Sequence, residues 1–413
     1  MTGNQLLFEI GLLGPSRVGK TSLISSIFRD GQRLLASSAV TIRANDRPTE
    51  VKMAQHARAL DQLLQSGRFT PGALAPNHET VSFELLLDPG GDADGPSDQG
   101  VALRMLDFPG GWLDPANRPL TSEGDWKAVE EFILRSSVLI IPVDATVLVE
   151  AVTDPQRGAV PLLLDTYDVA QVARQWARGR AANADAPALA LFVPVKCESY
   201  FADNGGRRDR SDELYDRFKT VYLDVLNAIE EEAGGDVEVL YTPVDTLGCV
   251  ERVSGTWVPD ADTHLRFDGR FMVRGRPTLS IVGVEDVLIA LCRTLLAARK
   301  SAEEARARAL AVQAQDAGRI AERDRGLVGN TFRTVDRALA GMYGDEQFRG
   351  FLDRRQALLQ GLGLRRLGEY TRESGQAKAL DAGHRRALEQ LQALNEVVED
   401  FARRQYSKRV CTP

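Results

Sequence analysis

The chain has 413 residues, of which 43% are hydrophobic and 26% charged, and its formal net charge is −7. This length exceeds one typical core, so two domains are expected, and the negative charge gives no reason to expect a nucleic-acid partner. The chain does not open on a basic segment followed by a long apolar one, and no apolar run approaches about 18 residues. We therefore predict neither a secretory signal nor a membrane span, and we expect a cytoplasmic protein whose four scattered cysteines are reduced thiols.

The first specific pattern is the stretch over residues 6–26, which reads LLFEIGLLGPSRVGKTSLISS. An apolar strand, a glycine-bounded turn and an amphipathic helix follow one another, and the turn fits G-x-x-x-x-G-K-[ST], the phosphate-binding loop. Small residues let backbone N–H groups curl around phosphate oxygens, and the helix N-terminus adds partial positive charge. The predicted nucleotide-binding residues of this loop are Gly14, Ser16, Arg17, Val18, Gly19, Lys20, Thr21 and Ser22.

Three side chains of this loop suit particular roles. Lys20 supplies a point charge to the β- and γ-phosphates, and Thr21 offers a hydroxyl to Mg²⁺. Arg17 is a candidate to offset transition-state charge, with a solvent-facing arginine as the alternative. For the whole string, the alternative is an ordinary glycine-rich turn between a strand and a helix.

A long connection over residues 30–79 separates the first helix from the next strand. In nucleotide-dependent switches, a threonine at this position reaches Mg²⁺ and the γ-phosphate. Thr80, directly before the strand, is the first choice for that ligand, and Thr70 and Thr41 are its rivals. A plain strand-start residue is the alternative interpretation of Thr80.

The strand over residues 101–106 is followed by Asp107-Phe-Pro-Gly110. An acid at the end of an apolar strand, after a phosphate loop, can hold Mg²⁺ through water, and a glycine N–H can approach the γ-phosphate without a side chain in the way. A turn at a strand end is the alternative. The predicted metal-binding residues are thus Thr21, Thr80 and Asp107, and the predicted catalytic residues are Lys20, Gly110 and Arg17.

Farther along, apolar strands alternate with helices, which predicts a mostly parallel sheet covered on both faces, that is, an α/β three-layer sandwich. The segment over residues 249–280 is predicted to be an insertion, with a hairpin that turns at Asp268-Gly269. The predicted strands cover residues 138–144, 188–195 and 237–244, and the predicted helices cover residues 121–137, 160–178 and 214–233.

From Arg299 onward the composition shifts to Ala, Arg, Glu and Gln, with few β-branched residues. The last long helix of this region carries a packing seam, for which we favour an intramolecular bundle over a homodimeric coiled coil. The seam residues are Leu380, Ala387, Leu391, Leu394, Val398 and Phe401. The predicted domains are residues 5–298, with insertions at 30–79 and 249–280, and an α-helical bundle over residues 299–407.

A fourth motif, Val195-Lys196-Cys197-Glu198, closes the strand over residues 188–195 and resembles the base motif of the P-loop GTPases of the TRAFAC type. In that family the motif is Asn/Thr-Lys-x-Asp, whose lysine stem covers the base and whose acid accepts from guanine N1–H and N2–H₂. Lys196 and Glu198 keep the spacing, although the first position is valine and the acid is one methylene longer. A surface Lys/Glu pair is the alternative.

The string Asp107-Phe-Pro-Gly-Gly-Trp-Leu113 is similar to the Asp-x-Pro-Gly-x-Trp-Leu string of the YcjX-like bacterial GTPases. This resemblance covers about residues 5–298 and is specific only at the motifs. The family usually has Glu at the position of Gly111, so a role of that acid is not carried over. Trp112 either caps the nucleotide pocket or packs in the core.

The resemblance implies a regulatory switch that binds GTP or GDP with Mg²⁺. Because the helical region follows the closing helix of the first domain, we expect it to transmit the nucleotide state. A protein partner is expected to bind through the switch loops or through the helical region. Slow hydrolysis is expected, because Gly111 offers no side chain to orient the attacking water. Two other classes stay open: an ATP-dependent enzyme or motor, and a scaffold with a vestigial nucleotide pocket.

Overall fold

The computed structural model of the chain divides into two units, Met1–Arg299 with Gln392–Pro413, and Lys300–Leu391. Nearly all of the predicted helical bundle lies outside the described residues, so its boundaries stay a prediction. The structure describes residues 6–35, 41–66, 68–69, 79–88, 101–118, 123–182, 187–204, 206, 208–259, 265–275, 277–298, 300–301, 304, 395–396, 398–399, 402–403 and 409–413.

Strands and helices of the first unit are numbered in chain order. Its strands are β1 (Leu6–Leu12), β2 (Thr41–Ala44), β3 (Arg68–Phe69), β4 (Val81–Asp88), β5 (Val101–Asp107), β6 (Val138–Asp144), β7 (Ala188–Val195), β8 (Val237–Tyr241), β9 (Val250–Pro259) and β10 (Leu265–Val273). Its helices are α1 (Lys20–Leu35), α2 (Arg47–Ser66), α3 (Glu123–Arg135), α4 (Ala145–Val149), α5 (Asp154–Leu163), α6 (Thr166–Ala181), α7 (Ser211–Val221), α8 (Leu223–Ala233) and α9 (284–298). Short 3₁₀ turns follow β5 at Gly110–Leu113 and Pro115–Asn117.

The main sheet has seven strands in the order β2-β4-β5-β1-β6-β7-β8. The five strands from β5 to β8 run parallel, whereas β4 is antiparallel to β5 and β2 is antiparallel to β4. Every residue of β6 and β7 is buried, as expected for parallel strands covered on both faces. The first unit is therefore an α/β structure with a mostly parallel mixed sheet, compatible with a three-layer sandwich.

The helices around this sheet form two groups. Helices α3, α6 and α8 pack together and reach β1 and β8, whereas α1 packs on α2, β2 and β5. The indole of Trp176, fully buried in α6, donates to the Ser136 carbonyl at 2.8 Å. Among the described helices, none combines the length and the apolar character needed to cross a bilayer.

Two stretches predicted as single helices are each split in the structure. Residues 160–178 span the end of α5 and most of α6, and the break falls at Asp165, whose φ of 47° is left-handed and ends the first helix. Residues 214–233 are divided between α7 and α8 at Tyr222, a fully buried residue. Helical periodicity continues across both breaks, so the pattern of apolar residues could not reveal them.

A second, three-stranded sheet has the order β3-β10-β9, and it corrects the predicted hairpin turn. Asp268 and Gly269 lie inside β10, where they pair with Thr256 and Gly255 of β9, so the turn prediction was wrong. A Cβ atom on Gly255 would lie 2.5 Å from the Phe267 ring. Glycine at this position thus makes room for a ring that packs on the sheet.

The parallel arrangement brings the functional motifs to one edge of the sheet, because the carboxyl ends of parallel strands all face the same side. Strand β1 leads into the phosphate loop, β5 ends at Asp107, β6 ends at Asp144 and β7 leads to Lys196. The loop over residues 242–249 follows β8 at the same edge. These five strand ends form the candidate site.

Candidate functional site

The loop between β1 and α1 packs against β6 and contains two residues with left-handed backbone conformation. Leu13 donates its N–H to the Ile140 carbonyl at 2.8 Å, and a Cβ atom on Gly14 would lie 3.3 Å from the Pro142 carbonyl oxygen. Arg17 and Gly19 have left-handed φ angles of 63° and 116°. Successive N–H groups in such alternating conformations form a concavity that binds anions. A non-glycine residue held left-handed stores about 1–3 kcal/mol of strain, a feature that clusters at binding sites.

The side chain of Lys20 lies inside this loop. Its Nζ atom donates to the carbonyl oxygens of Gly14 at 2.8 Å and Pro15 at 3.0 Å. Burial lowers the pKa of Lys20 to about 8, although the carboxylates of Asp107 and Asp165 act in the opposite direction. The ammonium group is therefore held at the loop by carbonyls that a polyphosphate can replace with stronger, charge-assisted bonds.

Thr21 and Asp107 meet beside Lys20. The hydroxyl of Thr21 donates to Oδ2 of Asp107 at 2.5 Å, because β1 and β5 are neighbouring parallel strands whose register pairs Gly11 with Leu106. These oxygens suit Mg²⁺, which keeps several waters and takes only one or two carboxylates in addition to substrate phosphates. Within the described part of the chain, no group of three or more His, Cys, Asp or Glu residues gathers as a complete metal cage.

The two described candidates for the further threonine ligand lie at opposite ends of the sheet. Thr80 is exposed and directly precedes Val81, which pairs with Asp107, so Thr80 lies at the edge of the candidate site. Thr41 pairs with Asp88, seven residues along β4 from Val81, which separates it from this edge by about 23 Å. Thr70 lies outside the described residues.

The 3₁₀ turn after Asp107 rests on the phosphate loop. A Cβ atom on Gly110 would overlap the backbone of Pro15 and Ser16, and one on Gly111 would lie 3.6 Å from Oγ of Ser16. Gly110 is therefore required for this close approach. Trp112 is buried in a core cluster with Phe108 and Trp126, which agrees with the core interpretation of this side chain.

The base motif contacts the phosphate loop through its lysine. Lys196 has a left-handed φ of 64°, and its N–H donates to Oγ1 of Thr246 at 2.9 Å. Its Nζ atom donates to the Arg17 carbonyl at 3.3 Å and forms an ion pair with Asp144. The stem of Lys196 thus runs from the end of β7 to the phosphate loop.

Glu198 is buried, with a relative exposure of 2%. Its Oε1 atom accepts from the N–H groups of Leu247 at 2.7 Å and Gly248 at 3.3 Å. Burial and the neighbouring Asp245 carboxylate raise the pKa of Glu198, whereas these N–H groups lower it. The carboxylate is oriented by the loop after β8, so Lys196 and Glu198 are not a surface pair.

Several residues of the site carry no motif, and sequence reasoning missed them. Asp144 caps α4 by accepting from the N–H of Thr146 at 2.9 Å while it binds Lys196. Asp165 is half-buried, and its pKa is raised to about 6 by burial and by the carboxylates of Asp168 and Asp114. The available signal was weak: Asp144 is an acid at the end of the apolar strand β6, and Asp245 lies four residues after the end of β8.

Neither a scan against protein-family models nor a search of curated proteins returns a match for this chain. The function of the site is therefore inferred from its own geometry and chemistry. That chemistry comprises a loop with two left-handed residues and a buried ammonium group, a hydroxyl and a carboxylate beside it, and a second lysine that links the loop to the buried Asp144.

Proposed function

We propose that the chain is a Mg²⁺-dependent GTP-binding switch of the P-loop GTPase class, with slow GTP hydrolysis. The observation that carries the proposal is the convergence of Lys20 with the Thr21–Asp107 pair at one sheet edge, on a loop whose backbone curls for an anion. The proposal includes a P-loop three-layer sandwich for the first unit and an α-helical domain at the C-terminal end.

The roles follow from the contacts. Thr21, Asp107 and Thr80 would hold Mg²⁺, which would supply positive charge to neutralise the phosphate oxygens. Lys20 binds the phosphates and the loop N–H groups orient them, while the N–H of Gly110 approaches the γ-phosphate. Gly111 has no side chain to orient water, so turnover is expected to be slow unless a partner or a second copy of the chain supplies that group.

The preference for guanine is supported by Lys196 and Glu198. The Lys196 stem lies between the phosphate loop and the end of β7, where it can cover a base, and Glu198 is held in a defined orientation nearby. A carboxylate accepts from the adjacent N1–H and N2–H₂ donors of guanine, which adenine does not present together. The burial of Glu198 also favours a second candidate, an ATP-dependent NTPase whose base is not read by this acid.

Calorimetry on the full chain with GTP, GDP, ATP and ADP tests the proposal. We expect guanine nucleotides to bind at least about tenfold more tightly than adenine nucleotides, since hydrogen bonds to a charged group contribute about 1.5–3 kcal/mol each. Removing Mg²⁺ with a chelator should weaken GTP more than GDP. Tighter binding of ATP would support the second candidate, and no binding of any purine nucleotide would overturn both.

We further propose that the nucleotide state is relayed through the turn at Gly110–Leu113 to residues 300–391, where a protein partner reads it. Limited proteolysis should then give different fragments with GDP and with a non-hydrolysable GTP analogue. Gly110→Ala should abolish this difference, because the Cβ atom of the alanine would overlap the backbone of Pro15 and Ser16 and prevent the turn from packing on the phosphate loop.

Gly158→Ala is the matched control for the proteolysis experiment, since a Cβ atom at this helical position meets nothing within 4 Å. It should keep the nucleotide-dependent fragments of the unaltered chain. Identical fragments with both nucleotides in the unaltered chain would contradict the relay.

A further inference from the structure

The last residues of the chain return to the nucleotide-binding unit. Cys411 forms a two-way antiparallel bridge with Tyr241 of β8, with N···O distances of 2.9 and 3.1 Å. The hydroxyl of Tyr215 donates to the Thr412 carbonyl at 3.2 Å. Because β8 is the outer strand of the main sheet, these contacts attach the C-terminal residues beside the loop that follows β8.

Arg409, two residues earlier, is buried at this position, with 2% of its side chain exposed. Its Nη1 atom donates to Oδ1 of Asp245 at 3.0 Å, and its Nε atom donates to Oδ2 of Asp203 at 2.7 Å. The guanidinium carbon lies 4.1 Å from the centroid of the Phe201 ring. The Asp245 side chain is fully buried, so removal of Arg409 would leave it with an uncompensated charge.

Asp245 lies in the loop over residues 242–249, which holds both residues of the base motif. Directly after it, Thr246 accepts from the Lys196 N–H, and the N–H groups of Leu247 and Gly248 donate to Glu198. The conformation of this loop therefore sets the orientation of both base-motif residues. Arg409 is joined to this loop by its ion pair with Asp245.

We propose that Arg409 is a positioning residue for base recognition. Its ion pair with Asp245 keeps residues 245–248 of this loop in the conformation that orients Glu198 and holds the backbone of Lys196. This inference rests on the proposed GTP-binding function and assigns to the C-terminal residues a specificity role in it. The base-dependent part of the affinity depends on the ion pair, whereas the phosphate-dependent part comes from the loop before α1.

The test compares the affinities of the full chain for GTP and for inorganic triphosphate, both with Mg²⁺, by competition against a fluorescent guanine nucleotide and by calorimetry. Arg409→Ala should weaken GTP binding by about tenfold or more, within the range of typical coupling between sites. The affinity for inorganic triphosphate should change by less than about twofold, because the phosphate-dependent part comes from the loop before α1 and is not coupled to the ion pair. Arg409→Lys should restore part of the GTP affinity, because an ammonium group pairs with Asp245 but cannot reproduce the planar fork.

Arg178→Ala is the matched control, since Arg178 also makes a two-bond pair with a carboxylate, Glu232, but at an exposed position between α6 and α8. It should leave both affinities unchanged. If Arg409→Ala does not fold, Asp203→Asn is the second variant, because it removes the charge of the other carboxylate that binds the Arg409 guanidinium, at a side chain that is 47% exposed. This variant should still weaken the affinity for GTP more than that for inorganic triphosphate.

The outcomes separate this inference from the function on which it rests. Equal losses of GTP and triphosphate affinity in the Arg409 variant, or an unchanged GTP affinity in a folded variant, would overturn the positioning role alone. If the unaltered chain binds GTP no more tightly than inorganic triphosphate, the base is not recognised, and both the positioning role and the guanine-specific function are overturned.

Discussion

Lys20→Ala is expected to lower the affinity of the full chain for GTP with Mg²⁺ by about 100-fold or more. The ammonium group donates to the carbonyls of Gly14 and Pro15, and in the proposed complex bonds to phosphate oxygens would replace these bonds. Two hydrogen bonds between charged groups, each contributing about 1.5–3 kcal/mol, correspond to this loss. Calorimetry with GTP and with GDP measures it.

Lys127→Ala is the matched control for this experiment, because Lys127 is an exposed lysine of α3. It should bind GTP as the unaltered chain does. Thermal unfolding of the Lys20 variant without nucleotide should show that the fold is retained. A folded Lys20→Ala protein with unchanged GTP affinity would contradict the phosphate-loop assignment, and with it the proposed function.

Glu198→Gln is expected to weaken GTP binding by about 100-fold, since two bonds from guanine donors to a carboxylate are lost or weakened. The glutamine carbonyl can still accept from Leu247, so the loop after β8 should keep its place. The amide NH₂ group of the glutamine is a donor, so it suits xanthine, which has a carbonyl in place of the 2-amino group of guanine. Xanthosine triphosphate should therefore bind the variant more tightly than it binds the unaltered chain.

Competition of the two triphosphates against a fluorescent nucleotide measures this exchange of specificity. Glu213→Gln serves as the control, because Glu213 pairs with Arg210 at the start of α7, outside the base motif. It should leave the preference for GTP as it is. An unchanged GTP affinity in the Glu198 variant would instead favour the ATP-dependent alternative.

Where the sequence predicted well, the information is local. The bounds of β6 and β7 were predicted correctly, because each is a continuous apolar run with a polar residue at its end. The strand–loop–helix order around Lys20 was also readable, since glycines and a helix start follow one another in a short segment. The predicted hairpin turn at Asp268-Gly269 was wrong because the same dipeptide also fits a strand, in which Gly269 pairs with Gly255 and a Cβ atom on Gly269 would lie 3.1 Å from the Phe271 ring.

The sequence by itself determined the buried strands β6 and β7, the strand–loop–helix segment around Lys20 and the residue types that follow these strands. Only the tertiary structure decided which of these residues meet. Strand order brings Thr21 to Asp107 across 86 positions and Lys196 to Asp144 across 52, and the C-terminal residues bring Arg409 to Asp245 across 164. A local pattern encodes backbone geometry and burial, whereas these pairs arise from the packing of distant elements, which no periodicity records.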